Sequence, residues 1–266
     1  HQKAADYTIT KTRFGLLELA FGAGITVAWT LLGGLSAVNQ WLVELLGHGL
    51  QQQVALFVVF GVIGSVLDLP FTLYSIFVIE ERFGFNKMTL KLWLQDGAKQ
   101  IALSLAIGLP FITLVIWMMG ATGPWWWLWV WGVWAAFVLV AQVVYPLLIA
   151  PWFNKFEPLE DQGLKERVTQ LMARCGFTAK GFFVMDGSKR SAHSNAYFTG
   201  FGRTKRVVFY DTLLAKLTPA EVDAVLAHEL GHFSHRHVAK LVATMLAMGL
   251  AGLFALGWAS QQVWFY

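Results

Sequence analysis

Five runs of 18 or more residues, Leu16–Val38, Val54–Ile79, Ile101–Gly120, Trp125–Ala150 and Leu241–Trp258, carry almost no charge. A run of that length can satisfy its own backbone as a helix across about 30 Å of hydrocarbon, so the chain is read as a membrane protein with five spans. Composition agrees: 56% of residues are hydrophobic and only 14% charged, against about 25% in soluble domains. The basic residues test the topology independently, because cytoplasmic flanks collect Lys and Arg. They fall in residues 1–13 (Lys3, Lys11, Arg13), in 80–100 (Arg82, Lys87, Lys91, Lys99) and in 151–240, and the loops 39–53 and 121–124 hold none. Five alternating spans starting on the cytoplasmic side give that pattern. The net charge of +4 therefore reflects membrane topology, and nucleic acid is not an expected partner. Tryptophans near the span ends (Trp41, Trp93, Trp125, Trp126, Trp127, Trp152, Trp258, Trp264) suit the headgroup boundary, with ordinary core packing as the alternative for each.

Composition divides the chain into a four-span membrane domain over 1–150, a segment of soluble composition over 151–240, and a fifth span over 241–266. The middle segment carries a helical pattern through Leu164, Val168, Leu171 and Met172 that ends near Cys175-Gly176. Strand-like runs follow at Gly181–Asp186, Ala196–Phe201 and Arg206–Tyr210, then a short helix over Asp211–Leu217. Cys175, the single cysteine, is expected as a small buried residue. Asp68 lies deep in the second run, followed by Leu69-Pro70; it either faces a hydrated interior or makes a hydrogen bond between helices.

The chemistry concentrates in His228-Glu229-Leu230-Gly231-His232. Residues four apart on a helix share a face, so His228 and His232 can grip one zinc ion while Glu229 serves as general base for the attacking water. The helix is announced by Thr218-Pro219-Ala220-Glu221, a capping box with proline at the first helical position, and by Val222, Val225, Leu226 and Leu230 at helical spacing. Catalytic zinc takes three protein ligands. The extended three-histidine pattern wants Gly at 235 and His at 238 but meets His235 and Val238, and no Asp, Glu or Cys occurs from Phe233 to Tyr266. His235 and His237 are poorly placed for the same ion and, with Arg236 and Lys240, suit the membrane surface better.

Four separated motifs carry a specific resemblance. They are Glu80-Glu81-Arg82-Phe83-Gly84-Phe85-Asn86-Lys87, Phe153-Asn154-Lys155-Phe156 with Pro158-Leu159, the run from Asp186 through Ser191 and on through His193 to Gly200, and His228 to His232. In these the chain resembles the Ste24-type intramembrane zinc metalloproteases, the type I CAAX prenyl endopeptidases of peptidase family M48. The resemblance implies an all-α membrane bundle, a multi-span helical barrel around a water-filled chamber, with a cytoplasmic α+β zincin-like catalytic segment. It implies one Zn2+ held by His228 and His232, Glu229 as catalytic base, and a third ligand, a glutamate, from a C-terminal part beyond Tyr266; a further span would precede His1. It also implies that Asn195, Ala196 and Tyr197 line the substrate cleft as an edge strand, where main-chain pairing could hold an extended peptide; ordinary sheet structure is the alternative.

The expected activity is hydrolysis of peptide bonds near the C-terminus of prenylated (CAAX) or other membrane-associated peptides, at the bacterial inner membrane or the endoplasmic reticulum membrane. Two alternatives stay open: a membrane-protein quality-control protease with no prenyl requirement, and, for these residues alone, a catalytically incomplete membrane scaffold.

Overall fold

The computed structural model describes residues 2–199, 204–234 and 237–263. Gly200, at the end of the third motif, Phe201, at the end of the expected strand Ala196–Phe201, and His235, Arg236 and Trp264 lie outside the described residues. The chain forms two compact units, His1–Ala121 and Thr122–Tyr266.

The first unit is helical: α1 (Gln2–Thr30), α2 (Gly34–Leu46), α3 (Leu50–Glu80) and α4 (Leu90–Ala121). The expected first span, Leu16–Val38, is corrected here. α1 starts at Gln2, and the apolar run is broken at Leu31–Gly33, where α1 and α2 meet at a 51° bend. Gly33 takes φ 80, a left-handed backbone that costs glycine little and other residues more. Because Leu31 and Leu32 are as apolar as the helices on either side, hydropathy alone runs straight across the break.

The near ends of α1 and α3 are tied by a polar cluster. The Tyr7 hydroxyl donates to Glu80 Oε1 at 2.6 Å, and Lys11 Nζ lies 3.0 Å from the same oxygen. The Tyr7 ring meets Phe83 and Phe85 edge-on at centroid distances of 5.2 and 5.0 Å. Two of the regions that charge placement assigned to one side of the membrane thus meet at one end of the unit. At the far end Gln52, buried on α3, donates to Asn39 Oδ1 of α2 at 2.5 Å. Asp68 is exposed and makes no hydrogen bond among the described residues.

In the second unit α5 (Gly123–Phe153) packs its first half against α9 (His237–Ala259) and leads into a four-stranded sheet. The helices are α6 (Gln162–Arg174), α7 (Asp211–Lys216) and α8 (Pro219–Ser234). The strands are β1 (Phe156–Pro158), β2 (Thr178–Met185), β3 (Ala196–Thr199) and β4 (Thr204–Tyr210), in the order β1-β2-β4-β3. β2 and β4 are parallel, with α6 preceding β2 and α7 following β4, and both edge pairings are antiparallel. Wide π-type turns at Ser104–Gly108 and Tyr145–Ile149 accompany Pro110 and Pro146, whose rings cannot share a regular turn with the carbonyl four residues back.

α9 lies against α5 through small residues. A Cβ on Gly249 would sit 2.4 Å from the Trp134 ring, and one on Gly257 2.5 Å from Trp127. These glycines are eight residues apart and so share a helix face, the kind of smooth surface that lets large rings of a neighbouring helix approach. Trp131 Nε1 adds a hydrogen bond to the Leu246 carbonyl at 2.9 Å. For Trp127 the core reading therefore holds. Cys175, expected buried, is exposed: it caps the end of α6 just before Gly176 turns the chain with φ 75, so its side chain faces out.

Among the described residues four helices are long and apolar enough to cross a membrane, and the bent α1–α2 pair can supply a fifth span. The chain is a multi-pass integral membrane protein.

Candidate metal centre and its relatives

α8 is fixed by its apolar face. Val222, Leu226 and Leu230 are at most 3% exposed and pack with Leu164, Val168 and Met172 of α6, Ala196 and Phe198 of β3, and Val207 and Phe209 of β4. His228 and His232 each follow a core leucine by two residues, about 200° round the helix, and so emerge on the opposite side. The same periodicity that seats the helix therefore aims the histidines outward.

The helix start is also sequence-encoded. The Thr218 N–H and hydroxyl both donate to Glu221 Oε2, at 2.8 and 2.7 Å. This is the glutamate half of the expected capping box; the threonine hydroxyl donates to the carboxylate instead of accepting from the first turn. The bonds from Thr218, backbone first and then hydroxyl, hold the Glu221 carboxyl below its ordinary pKa.

On the outward face His228 Nε2 and His232 Nε2 stand 3.1 Å apart, with the rings perpendicular. Glu229 joins them: one ligand atom from each of the three residues lies within 4.8 Å of the others. Two nitrogens bound at about 2.0–2.1 Å to one tetrahedral ion would lie about 3.3–3.4 Å apart. The spacing, and a donor set of two imidazoles beside a carboxylate, fit a zinc-sized cation. His228 is exposed, while Glu229 and His232 are half-buried.

Sequence reasoning missed the role of His237. Its Nδ1 lies 2.7 Å from His232 Nδ1, on the ring edge away from His228. It does not face the space between the two Nε2 atoms, and it touches a residue of the candidate metal group. A histidine five residues past the motif was a visible signal, but on one continuous helix it would point about 140° away.

The sheet is joined to the end of α5 by residues of two other sequence motifs. Arg190 donates to Asn154 Oδ1 at 2.6 Å and to the Phe153 carbonyl at 2.8 Å, while Asp186 Oδ1 accepts from the Lys155 N–H at 2.8 Å. Asp211 then receives the Ser188 and Thr212 N–H groups at 2.8 and 2.7 Å, fastening the same loop to α7.

Asn195, Ala196 and Tyr197 lead into β3, which pairs with β4 on one side and is the last strand of the sheet. The Ala196 side chain is buried in the core under α8, so any contact it makes with a peptide is through its backbone. Tyr197 points to the other face, where burial, with Tyr210 and Tyr145 nearby, pushes its phenol up to about 12. There it lines a cleft of about 430 Å³ with Thr199, Arg206, Lys155 and Pro146. The residues that line that cleft include none of the three motif residues.

A family described as "CAAX prenyl protease N-terminal, five membrane helices" matches residues 1–155, and "Peptidase family M48" matches residues 158–263. The chain belongs to peptidase family M48. Among its M48 relatives, the CAAX prenyl protease 1 homolog of Oryza sativa subsp. japonica is 46% identical over 188 residues, covering 70% of this chain and 44% of the relative. CAAX prenyl protease 1 of Saccharomyces cerevisiae is 44% identical over 187 residues, 68% of this chain and 40% of the relative. The crystal structure of S. mikatae Ste24p superposes with a TM-score of 0.86 at 33% identity, covering 94% of this chain and 59% of that one. The chain thus spans less than half the length of these two curated relatives. The M48 membership and this likeness establish the fold class, several apolar membrane helices with a small mixed sheet, and the family implies a metal cofactor.

Proposed function

We propose that the protein is a zinc-dependent membrane metalloendopeptidase that hydrolyses peptide bonds near the C-terminus of prenylated CAAX peptides or similar membrane-associated peptides. The observation that carries this reading is the pair of Nε2 atoms 3.1 Å apart on a rigidly seated helix, with Glu229 beside them. His228 and His232 hold the metal, and a third ligand, a glutamate by family resemblance, comes from outside these 266 residues. When bound, zinc supplies Lewis acidity toward water and toward a peptide carbonyl.

Glu229 takes the proton from the attacking water and returns it to the departing amine, so one carboxylate serves as base and then acid, and no covalent enzyme intermediate forms. The free edge of β3 at Asn195-Ala196-Tyr197 holds the extended peptide by main-chain pairing. By composition the protein comprises a membrane domain over 1–150, a metalloprotease segment over 151–240 and a further span over 241–266. That segment faces the cytosol, which the shared placement of basic residues supports, in the endoplasmic reticulum membrane or a bacterial inner membrane. The exposed carboxylate of Asp68, deep in an apolar helix, supports a water-filled interior.

The test is Glu229→Gln in the full-length protein. It should keep bound zinc and fold while cleavage of a farnesylated CAAX peptide falls by at least about 10²-fold. Near-normal turnover would remove Glu229 from the mechanism. A matched peptide without the farnesyl group, cleaved equally well, would instead favour a protease with no prenyl requirement.

A further inference from the structure

A neutral imidazole carries one N–H and one lone pair, and the partner of one nitrogen decides what the other can do. Both nitrogens of His232 are engaged here. Nε2 faces His228 Nε2 at 3.1 Å in the candidate metal group, and Nδ1 faces His237 Nδ1 at 2.7 Å. A ring that offers its Nε2 lone pair to a cation must carry its proton on Nδ1. Among the described residues the acceptor that meets that N–H at 2.7 Å is the Nδ1 lone pair of His237, whose own proton then sits on Nε2. The two rings are 5.0 Å apart between centroids and inclined by 59°, which is the geometry of an edge contact, not of stacking.

We propose that His237, the first residue of α9, is a positioning residue for the metal centre: by accepting from His232 Nδ1 it fixes the tautomer and the ring orientation in which His232 Nε2 binds metal. This rests on the zinc reading above and adds to it. The two ligands are supported differently. His228 is exposed on α8, whereas His232 is steered from a second helix, one that docks on α5 through Gly249 and Gly257. The orientation of one ligand is thereby coupled to the seating of a membrane helix.

The experiment measures zinc affinity of the full-length protein in detergent by competition with a chromogenic chelator, so that activity is not the readout. His237→Leu removes the acceptor at similar size and should weaken zinc binding about 10–100-fold, the usual cost of losing a ligand's hydrogen-bond partner. His237→Asn, whose Oδ1 can accept near the place of Nδ1, should bind within about threefold of the parent. Apo-protein melting temperatures show whether each variant folds, and the Co2+ ligand-field spectrum should change in the leucine variant and return in the asparagine variant.

Parent-like affinity in His237→Leu overturns the proposal. So does equal weakening in a folded His237→Asn, which would make the effect one of packing. His232→Ala separates the two levels. If it loses zinc while His237→Leu does not, only the role of His237 fails; if His232→Ala still binds zinc normally, the metal centre is wrongly placed and the role of His237 falls with it.

Discussion

Replacing Gly249 by alanine puts a methyl carbon where the Trp134 ring already lies, with ring atoms at 2.4 and 2.7 Å. Ordinary contact for such a carbon begins near about 3.4 Å, so α9 and α5 must separate locally by roughly 1 Å or the indole must leave its rotamer. Overpacking of that kind costs about 1–3 kcal/mol. Against it stands the helix-propensity gain of alanine over glycine, about 1 kcal/mol, so the net change is a loss of up to about 2 kcal/mol. Gly252 supplies the control on the same helix. A Cβ there meets nothing within 4 Å, so Gly252→Ala receives the propensity gain alone and should be as stable as the parent or more so.

The assay is thermal unfolding in detergent, followed by the folded fraction surviving size-exclusion chromatography. Three proteins should rank Gly252→Ala, parent, Gly249→Ala from most to least stable. The loss in Gly249→Ala should also shrink in a Trp134→Leu background, since the clash is with that ring and a double-mutant cycle isolates it. If Gly249→Ala matches Gly252→Ala, or if its cost is unchanged without Trp134, then the α5–α9 contact is not the close packing described.

Leu226→Ala on the buried side of α8 should cost about 2–5 kcal/mol and weaken zinc binding as well, because the helix that aims both histidines loses its anchor; calorimetry and chelator competition read the two effects. Glu221 has a lowered carboxyl pKa in the folded state, so its contribution is present above its unfolded value near 4.5 and is lost as pH falls below it. Glu221→Gln should therefore lower the melting temperature in the neutral range and flatten its fall over that acid window. Tyr197 behaves in the opposite sense: its phenol titrates at about 12 when folded and 10.0 when unfolded. The unfolded chain thus releases its proton first, stability falls as pH rises above 10.0, and Tyr197→Phe should lessen that fall in alkaline melting curves.

Much of this was legible in the residues because the signals are periodic. The apolar runs mark membrane helices by length alone, and the alternation of Val222, Leu226 and Leu230 with His228 and His232 describes a helix with one face for packing and one for chemistry. What escaped lies where periodicity is silent. β1 is three residues, Phe156–Pro158, too short for alternation to register and ending in a strand breaker. The bend at Gly33 interrupts no hydropathy, and the first turns of α1 are polar, so neither limit of that helix shows in an apolar window. Cys175 looked like core by residue type, yet its place at a helix end decided its exposure. The contact between His237 and His232 escaped because spacing within one regular helix argues against it.

The chain parts into compact units at Ala121–Thr122, well upstream of the place near residue 150 where its composition turns from lipid-like to water-like. Solvent preference and mechanical cohesion therefore have different borders. α5 is welded to the sheet by Arg190 and to α9 by its tryptophans, so it belongs with the chemistry and not with the preceding helices. Anyone exchanging membrane scaffolds between relatives should splice in the turn before Pro124: a junction at the water boundary would part Trp127, Trp131 and Trp134 from the α9 surface they pack on and leave the hybrid's protease half without its footing.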